Sequence, residues 1–141
     1  MEASRRILLI DDDPVTNMIN TKLIMREFNF TVEAYTNGQE TLAHLQELVT
    51  SSPEKVPDLI FLDINMPVMD GWQFLDEFQK LPSSLQKKVK IFMLTSSIDL
   101  KDIVKAKAYE SVKDFISKPL TTIKFRSLTE EPHAQDSVRM E

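Results

Sequence analysis

Apolar positions along the chain follow two rhythms, unbroken runs and repeats of three or four, and the two alternate. "RRILLID" (5–11), "DLIFLDI" (58–64) and "VKIFMLT" (89–95) are apolar through the middle, as strands covered on both faces are. "FTVEAYT" (30–36) alternates apolar and polar and predicts a more exposed strand. "DFISK" (114–118) predicts a fifth. Between them, Val15, Met18, Ile19 and Leu23 recur at helical spacing, which predicts a helix over 14–27. Asp13 and Pro14 supply its N-cap and first position. Leu42, Leu45, Leu48 and Val49 mark a second helix after the Asn37-Gly38 break. Phe74, Leu75, Phe78 and Leu81 mark a third within "WQFLDEFQKL". A fourth is expected over 100–110, and a fifth starts near Thr121 and ends past Leu128.

Strand and helix thus alternate five times, the pattern of a parallel sheet with helices on both faces. Right-handed crossovers bring every strand's carboxyl end to one edge, where ligands of such sheets bind. At that edge the sequence places Asp11, Asp12 and Asp13 after the first strand and Asp63 at the tip of the third. Thr95 ends the fourth, and Lys118, before Pro119, ends the fifth.

Composition narrows what this edge can do. The chain has 141 residues, enough for one domain, and no cysteine, so thiolate metal sites and disulfides are excluded. No apolar stretch reaches the ~20 residues of a membrane-spanning helix, and the N-terminus lacks the pattern of a signal peptide. The net charge is −5, and the last 13 residues, "TEEPHAQDSVRME", hold −3 of it. No basic stripe argues for direct nucleic-acid binding. The expected organisation is one domain over 1–128 and a polar, acidic, flexible tail over 129–141. A cytoplasmic location is expected.

Crowded carboxylates need a positive partner, and oxygen donors without soft ligands suit Mg²⁺, with Mn²⁺ as the alternative. Lys118 is a second, fixed cation. A metal and an ammonium beside Asp63 would attract a phosphoryl group and stabilise its transfer, which makes Asp63 the expected nucleophile. Thr95 can donate a hydrogen bond to a phosphoryl oxygen.

"LLIDDDP", "LIFLDINMPVMDGW", "IFMLTSS" and "DFISKPL", in this order, resemble the response-regulator receiver domain of two-component signalling, over residues 6–128. The resemblance implies a CheY-like, flavodoxin-like (βα)5 fold of strand order 2-1-3-4-5. It implies that Asp63 is the phosphoacceptor. Asp12 would be the direct Mg²⁺ ligand, Asp11 would act largely through water, and Asn65 would offer its backbone carbonyl to the metal. Thr95 and Phe115 would form the switch pair, with Lys118 beside the phosphoryl group and Asp13 as helix cap. The implied donor is a sensor histidine kinase or histidine phosphotransfer protein, and the implied readers are protein targets or further relay partners. A stand-alone regulator that catalyses only its own phosphotransfer and dephosphorylation is expected. With the uncharged Asn65 and Ser97 beside the site, its phosphoryl lifetime is expected to be minutes or longer. Two features depart from the commonest pattern. "YESVKDF" lacks the family's glycine before the last strand, so a stiffer loop or a longer fourth helix is expected, and the last helix is short and polar.

An enzymatic rival shares the first motif. "ILLIDDDPVT" also fits the opening of haloacid-dehalogenase phosphatases, with Asp11 as nucleophile and Asp13 as general acid. That family needs further acids at a strand end after the lysine, and here only tail acids follow. A partner-binding receiver that takes no phosphoryl group is the other alternative. The isolated His44 and His133 suit neither phosphoacceptance nor metal binding.

Overall fold

The computed structural model describes residues 5–129. Five parallel strands, β1 (Arg5–Ile10), β2 (Phe30–Tyr35), β3 (Leu59–Asp63), β4 (Lys90–Thr95) and β5 (Val112–Ser117), lie in the order β2-β1-β3-β4-β5. The expected doubly wound α/β class and strand order are both present. Although β1 is apolar without interruption, its side chains still sort with period two. Leu8 and Ile10 join Ile60, Leu62, Phe74, Leu75 and Phe78 on one face of the sheet. Ile7 and Leu9 join Phe61, Phe92, Leu94, Ile24 and Phe125 on the other. Burying a side chain the size of Phe125 contributes about 2–3 kcal/mol, and Phe125 is closed off between Phe28, Phe30 and Phe61.

The helices are α1 (Pro14–Glu27), α2 (Gly38–Ser51), α3 (Gly71–Phe78), α4 (Ser83–Lys88), α5 (Leu100–Ala106) and α6 (Thr122–Thr129). The apolar spacing finds α1 at its true limits but not its inward face. Val15, Met18 and Ile19 are exposed, whereas Asn17, Asn20 and Ile24 are buried. Sequence periodicity also misses α4, a six-residue helix, too short for an apolar repeat to register. Leu85 alone anchors it in the core.

The fourth predicted helix is corrected from 100–110 to Leu100–Ala106. It closes in tight turns in which the Lys107, Ala108 and Tyr109 amides each bond three residues back, so the helix is shorter than expected and not longer. The fifth strand is corrected from 114–118 to Val112–Ser117, its start set by pairing with Ile91 of β4. The predicted tail and His133 lie outside the described residues, apart from Thr129, which ends α6. Among the described residues no helix is long and apolar enough to cross a membrane.

Candidate functional site

The carboxyl edge of the sheet gathers the predicted residues. Asp63 is the last residue of the wholly buried β3 and is itself only 3% exposed. Its strand end is pinned twice: the Ile64 amide donates to Leu94 O at 3.1 Å, and the Gly71 amide donates to Ile64 O at 2.8 Å. Only glycine fits at 71, because a Cβ there would stand 2.9 Å from Ile64 Cα and 3.0 Å from Asp63 O. The Asn65 amide donates to Asp63 Oδ1 at 3.2 Å.

Asp11, 2% exposed, follows β1. Its Oδ1 accepts the Asp13 amide at 2.9 Å. Asn17, which sequence reasoning missed, holds this turn from α1: its side-chain amide donates to Asp11 O and to Tyr35 O, each at 3.1 Å. The available signal was Asn17, Asn20 and Ile24 at helical spacing, a polar-led stripe beside the more obvious apolar one.

Lys118 spans the gap between the two buried acids, its Nζ 3.0 Å from Asp11 Oδ2 and 3.3 Å from Asp63 Oδ1. The Lys118 amide donates to Thr95 O at 2.7 Å, which sets the end of β5 beside that of β4. The Lys118–Pro119 peptide is cis. Burial disfavours the Lys118 ammonium, but bonding to Asp11 and the charges of Asp11 and Asp63 outweigh it and hold its pKa above the ordinary value. Asp63 moves the other way for a carboxyl. Burial first, and then the Asp11 charge, push it from 3.8 up to about 6, against the pull of Lys118 and the Asn65 amide.

Asp11, Asp12 and Asp63 place carboxylate oxygens within 4.8 Å of one another. When all three are ionised, one ammonium leaves two negative charges unbalanced. A hard divalent cation fits that deficit and that oxygen donor set. Asp13 stands apart from this group, as expected of a cap. It is exposed, its carboxylate accepts the Val15 amide at 3.0 Å and the Thr16 hydroxyl at 2.9 Å, and these bonds lower its pKa. As a helix cap engaged by two donors, it is poorly suited to the general-acid role of the phosphatase alternative.

Thr95 lies at the same edge, buried, with its hydroxyl turned into the next loop. It donates to Ser97 O at 3.0 Å and accepts the Ser97 amide at 3.2 Å. Phe115 is half-buried against the core on the α3 side of the sheet. Within the β3–α3 loop, Val68 has φ +69°, a left-handed conformation unusual for a β-branched residue. His44, isolated in the sequence, packs tilted against the Tyr35 ring with Nε2 3.4 Å from Glu33 Oε1.

Residues 7–130 match the model of the response regulator receiver domain. Among curated proteins, the chain is 33% identical over 117 residues to "Probable C4-dicarboxylate response regulator DctR" of Halalkalibacterium halodurans, covering 82% of this chain and 46% of that protein. It is 31% identical over 127 residues to "Sensor histidine kinase CheAY" of Helicobacter pylori, covering 86% of this chain and 15% of that protein. The chain therefore spans about half the length of the first relative and a small part of the second. Among solved structures, a two-component response regulator from Cytophaga hutchinsonii superposes with a TM-score of 0.81 at 33% identity, covering 90% of this chain and 95% of that one. Sequence motifs, strand order and family match agree, and the chain belongs to the response regulator receiver domain family.

Proposed function

We propose that this receiver is a phosphorylation switch in which Asp63 takes a phosphoryl group from a phosphohistidine of a sensor kinase or phosphotransfer protein. One Asp63 carboxylate oxygen attacks phosphorus, the P–N bond to the histidine breaks, and the imidazole leaves with the electron pair. The product is an aspartyl phosphate. The observation that carries this reading is the buried Asp63 carboxylate, tied through the Lys118 ammonium to buried Asp11 and flanked by Asp12. Burial strips water from the nucleophile, and Lys118 is positioned to meet negative charge as it moves onto the phosphoryl oxygens. Asp11, Asp12, Asp63 and the Asn65 backbone carbonyl would hold Mg²⁺, which when bound neutralises the approaching anions.

The Thr95 hydroxyl, bonded to Ser97 in the unphosphorylated chain, turns towards the new phosphoryl group. Phe115 then repacks, and the balance between two arrangements of α5, β5 and α6 shifts. Output passes by protein–protein contact or by onward transfer in a phosphorelay. In this reading the chain acts in the cytoplasm and catalyses only its own phosphotransfer and dephosphorylation. Asn65 and Ser97 bring no charged group to orient water, so the phosphoryl group persists for minutes or longer.

Incubation with acetyl phosphate, with and without Mg²⁺, followed by intact-mass measurement, tests the reading. It requires a Mg²⁺-dependent gain of a phosphoryl group that is absent in Asp63→Asn. No gain by the folded wild type supports the partner-only module. A gain that survives Asp63→Asn and vanishes in Asp11→Asn supports the phosphatase alternative.

A further inference from the structure

Lys124 holds an unfavourable place on its own helix. It is the third residue of α6, and Thr121, just ahead of that helix, accepts the Lys124 amide on its hydroxyl oxygen at 3.2 Å. With Thr121 as the cap, this position favours Glu or Gln, which would complete a capping box, and the positive end of the helix dipole disfavours a cation there. The first turn of α6 has no acid to offset it. The helix itself gives no reason for a lysine here, and the side chain, half-buried, turns to the end of β5 instead.

Its ammonium donates to Ser117 O at 2.8 Å, to Ser117 Oγ at 3.2 Å and to Pro119 O at 3.1 Å. An ammonium has three N–H donors, so these neutral oxygens fill its capacity. They belong to the residues immediately before and after Lys118, and one cation thus closes the main chain around another. The clasp is anchored behind, because Phe125, the next residue of α6, is fully buried among Phe28, Phe30 and Phe61. In front, the Lys118 amide donates to Thr95 O at 2.7 Å and its Nζ reaches Asp11 and Asp63. A chain of contacts runs from the aromatic core through Lys124 to the ammonium that faces Asp63.

We propose that Lys124 is a positioning residue for phosphoryl transfer: by holding Ser117 O and Pro119 O it keeps Lys118 aimed at Asp11 and Asp63. It touches no reacting atom and acts only through Lys118. Small displacements matter in such a site, where a shift of ~1 Å can lower a rate about 100-fold. The effect on transfer rests on the phosphorylation reading; the placement of Lys118 does not.

Two measurements on the full chain test it. Phosphorylation by acetyl phosphate with Mg²⁺ is timed by intact mass for wild type, Lys124→Met, Lys118→Met and the double variant. Lys124→Met is expected to slow the gain about tenfold on its own, and less than about twofold in the Lys118→Met background. Equal slowing in both backgrounds means that Lys124 acts through its charge on the donor or through general stability, and overturns the proposal. So does an unchanged rate. Lys124→Gln, which gives Thr121 its capping-box partner and so protects the start of α6, is expected to slow the gain as well. Amide hydrogen exchange reads the placement without phosphorylation. In Lys124→Met the Lys118 amide is expected to exchange at least about tenfold faster, while the Ile91 amide, bonded to Ser111 O ahead of β5, keeps its rate. Acceleration of both alike, or of neither, overturns the clasp. If the wild type gains no phosphoryl group, the phosphorylation reading fails, and exchange alone decides the clasp. If it gains the group and Lys124→Met keeps pace, the role of Lys124 alone fails.

Discussion

The Lys118 ammonium stands 3.0 Å from Asp11 Oδ2 and 3.3 Å from Asp63 Oδ1, one cation shared by two carboxylates sealed from water. Removing it leaves both acids without their counter-charge. Breaking a fully buried pair costs roughly 3–5 kcal/mol, and the partial exposure of Lys118 reduces that to about 2 kcal/mol for Lys118→Met without divalent cation. Adding Asp63→Asn to that variant should recover the whole of the loss, since the more strained of the two stranded charges goes and its repulsion of Asp11 goes with it. Urea melts of the single and double variants check both expectations.

Asp63 has the opposite sign for stability. Its carboxyl rises from 3.8 to about 6 on folding, so the folded state binds the proton more tightly than the unfolded one. Its contribution therefore becomes unfavourable as pH climbs through that window and stays so above it. In the presence of chelator, Asp63→Asn should raise stability by about 2 kcal/mol at neutral pH and by little below about pH 4. Equal urea midpoints of wild type and variant at neutral pH contradict the assignment of strain to this carboxylate.

Thr95→Val keeps the volume of the side chain and deletes the hydroxyl that bonds both the amide and the carbonyl of Ser97. A cost of about 1 kcal/mol is expected from the lost bonds. Phosphorylation of Asp63 should persist, while the amide chemical shifts of Phe115 and α5 should no longer move when the phosphoryl group is added. A full set of shift changes in the variant removes Thr95 from the switch.

Val68, 89% exposed with φ +69°, holds a backbone conformation that costs a residue with a Cβ roughly 1–2 kcal/mol. Val68→Gly removes that cost and returns part of it as unfolded-chain entropy, for a net gain of about 0.5–1 kcal/mol. Thermal unfolding should shift upward. A downward shift means that the Val68 side chain has contacts that offset the strain.

Gly71→Ala pushes a Cβ into backbone at Ile64 and Asp63, atoms that cannot rotate aside. A loss of about 2 kcal/mol is expected, together with slower phosphorylation, because the shift falls on the strand end that carries the nucleophile. Phosphate-affinity gels over time measure the second effect.

The site was legible because a parallel sheet sends every strand end to one edge. Asp11, Asp63, Thr95 and Lys118 could be placed together from position alone, and the geometry brings them there. What escaped were features that depend on which way a helix faces. Val15, Met18 and Ile19 read as an ordinary apolar repeat, yet α1 turns Asn17 and Asn20 inward, because Asn17 is needed to hold the backbone after β1. The six residues of α4 carry one core anchor, Leu85, and one anchor has no period.

The most direct test of the central claim is to locate the phosphoryl group itself. After treatment with acetyl phosphate and Mg²⁺, borohydride reduction converts an aspartyl phosphate to homoserine, and peptide mass spectrometry reads its position. The account predicts homoserine at position 63 alone, dependent on Mg²⁺. Homoserine at position 11, or at neither aspartate in a folded chain, would contradict it.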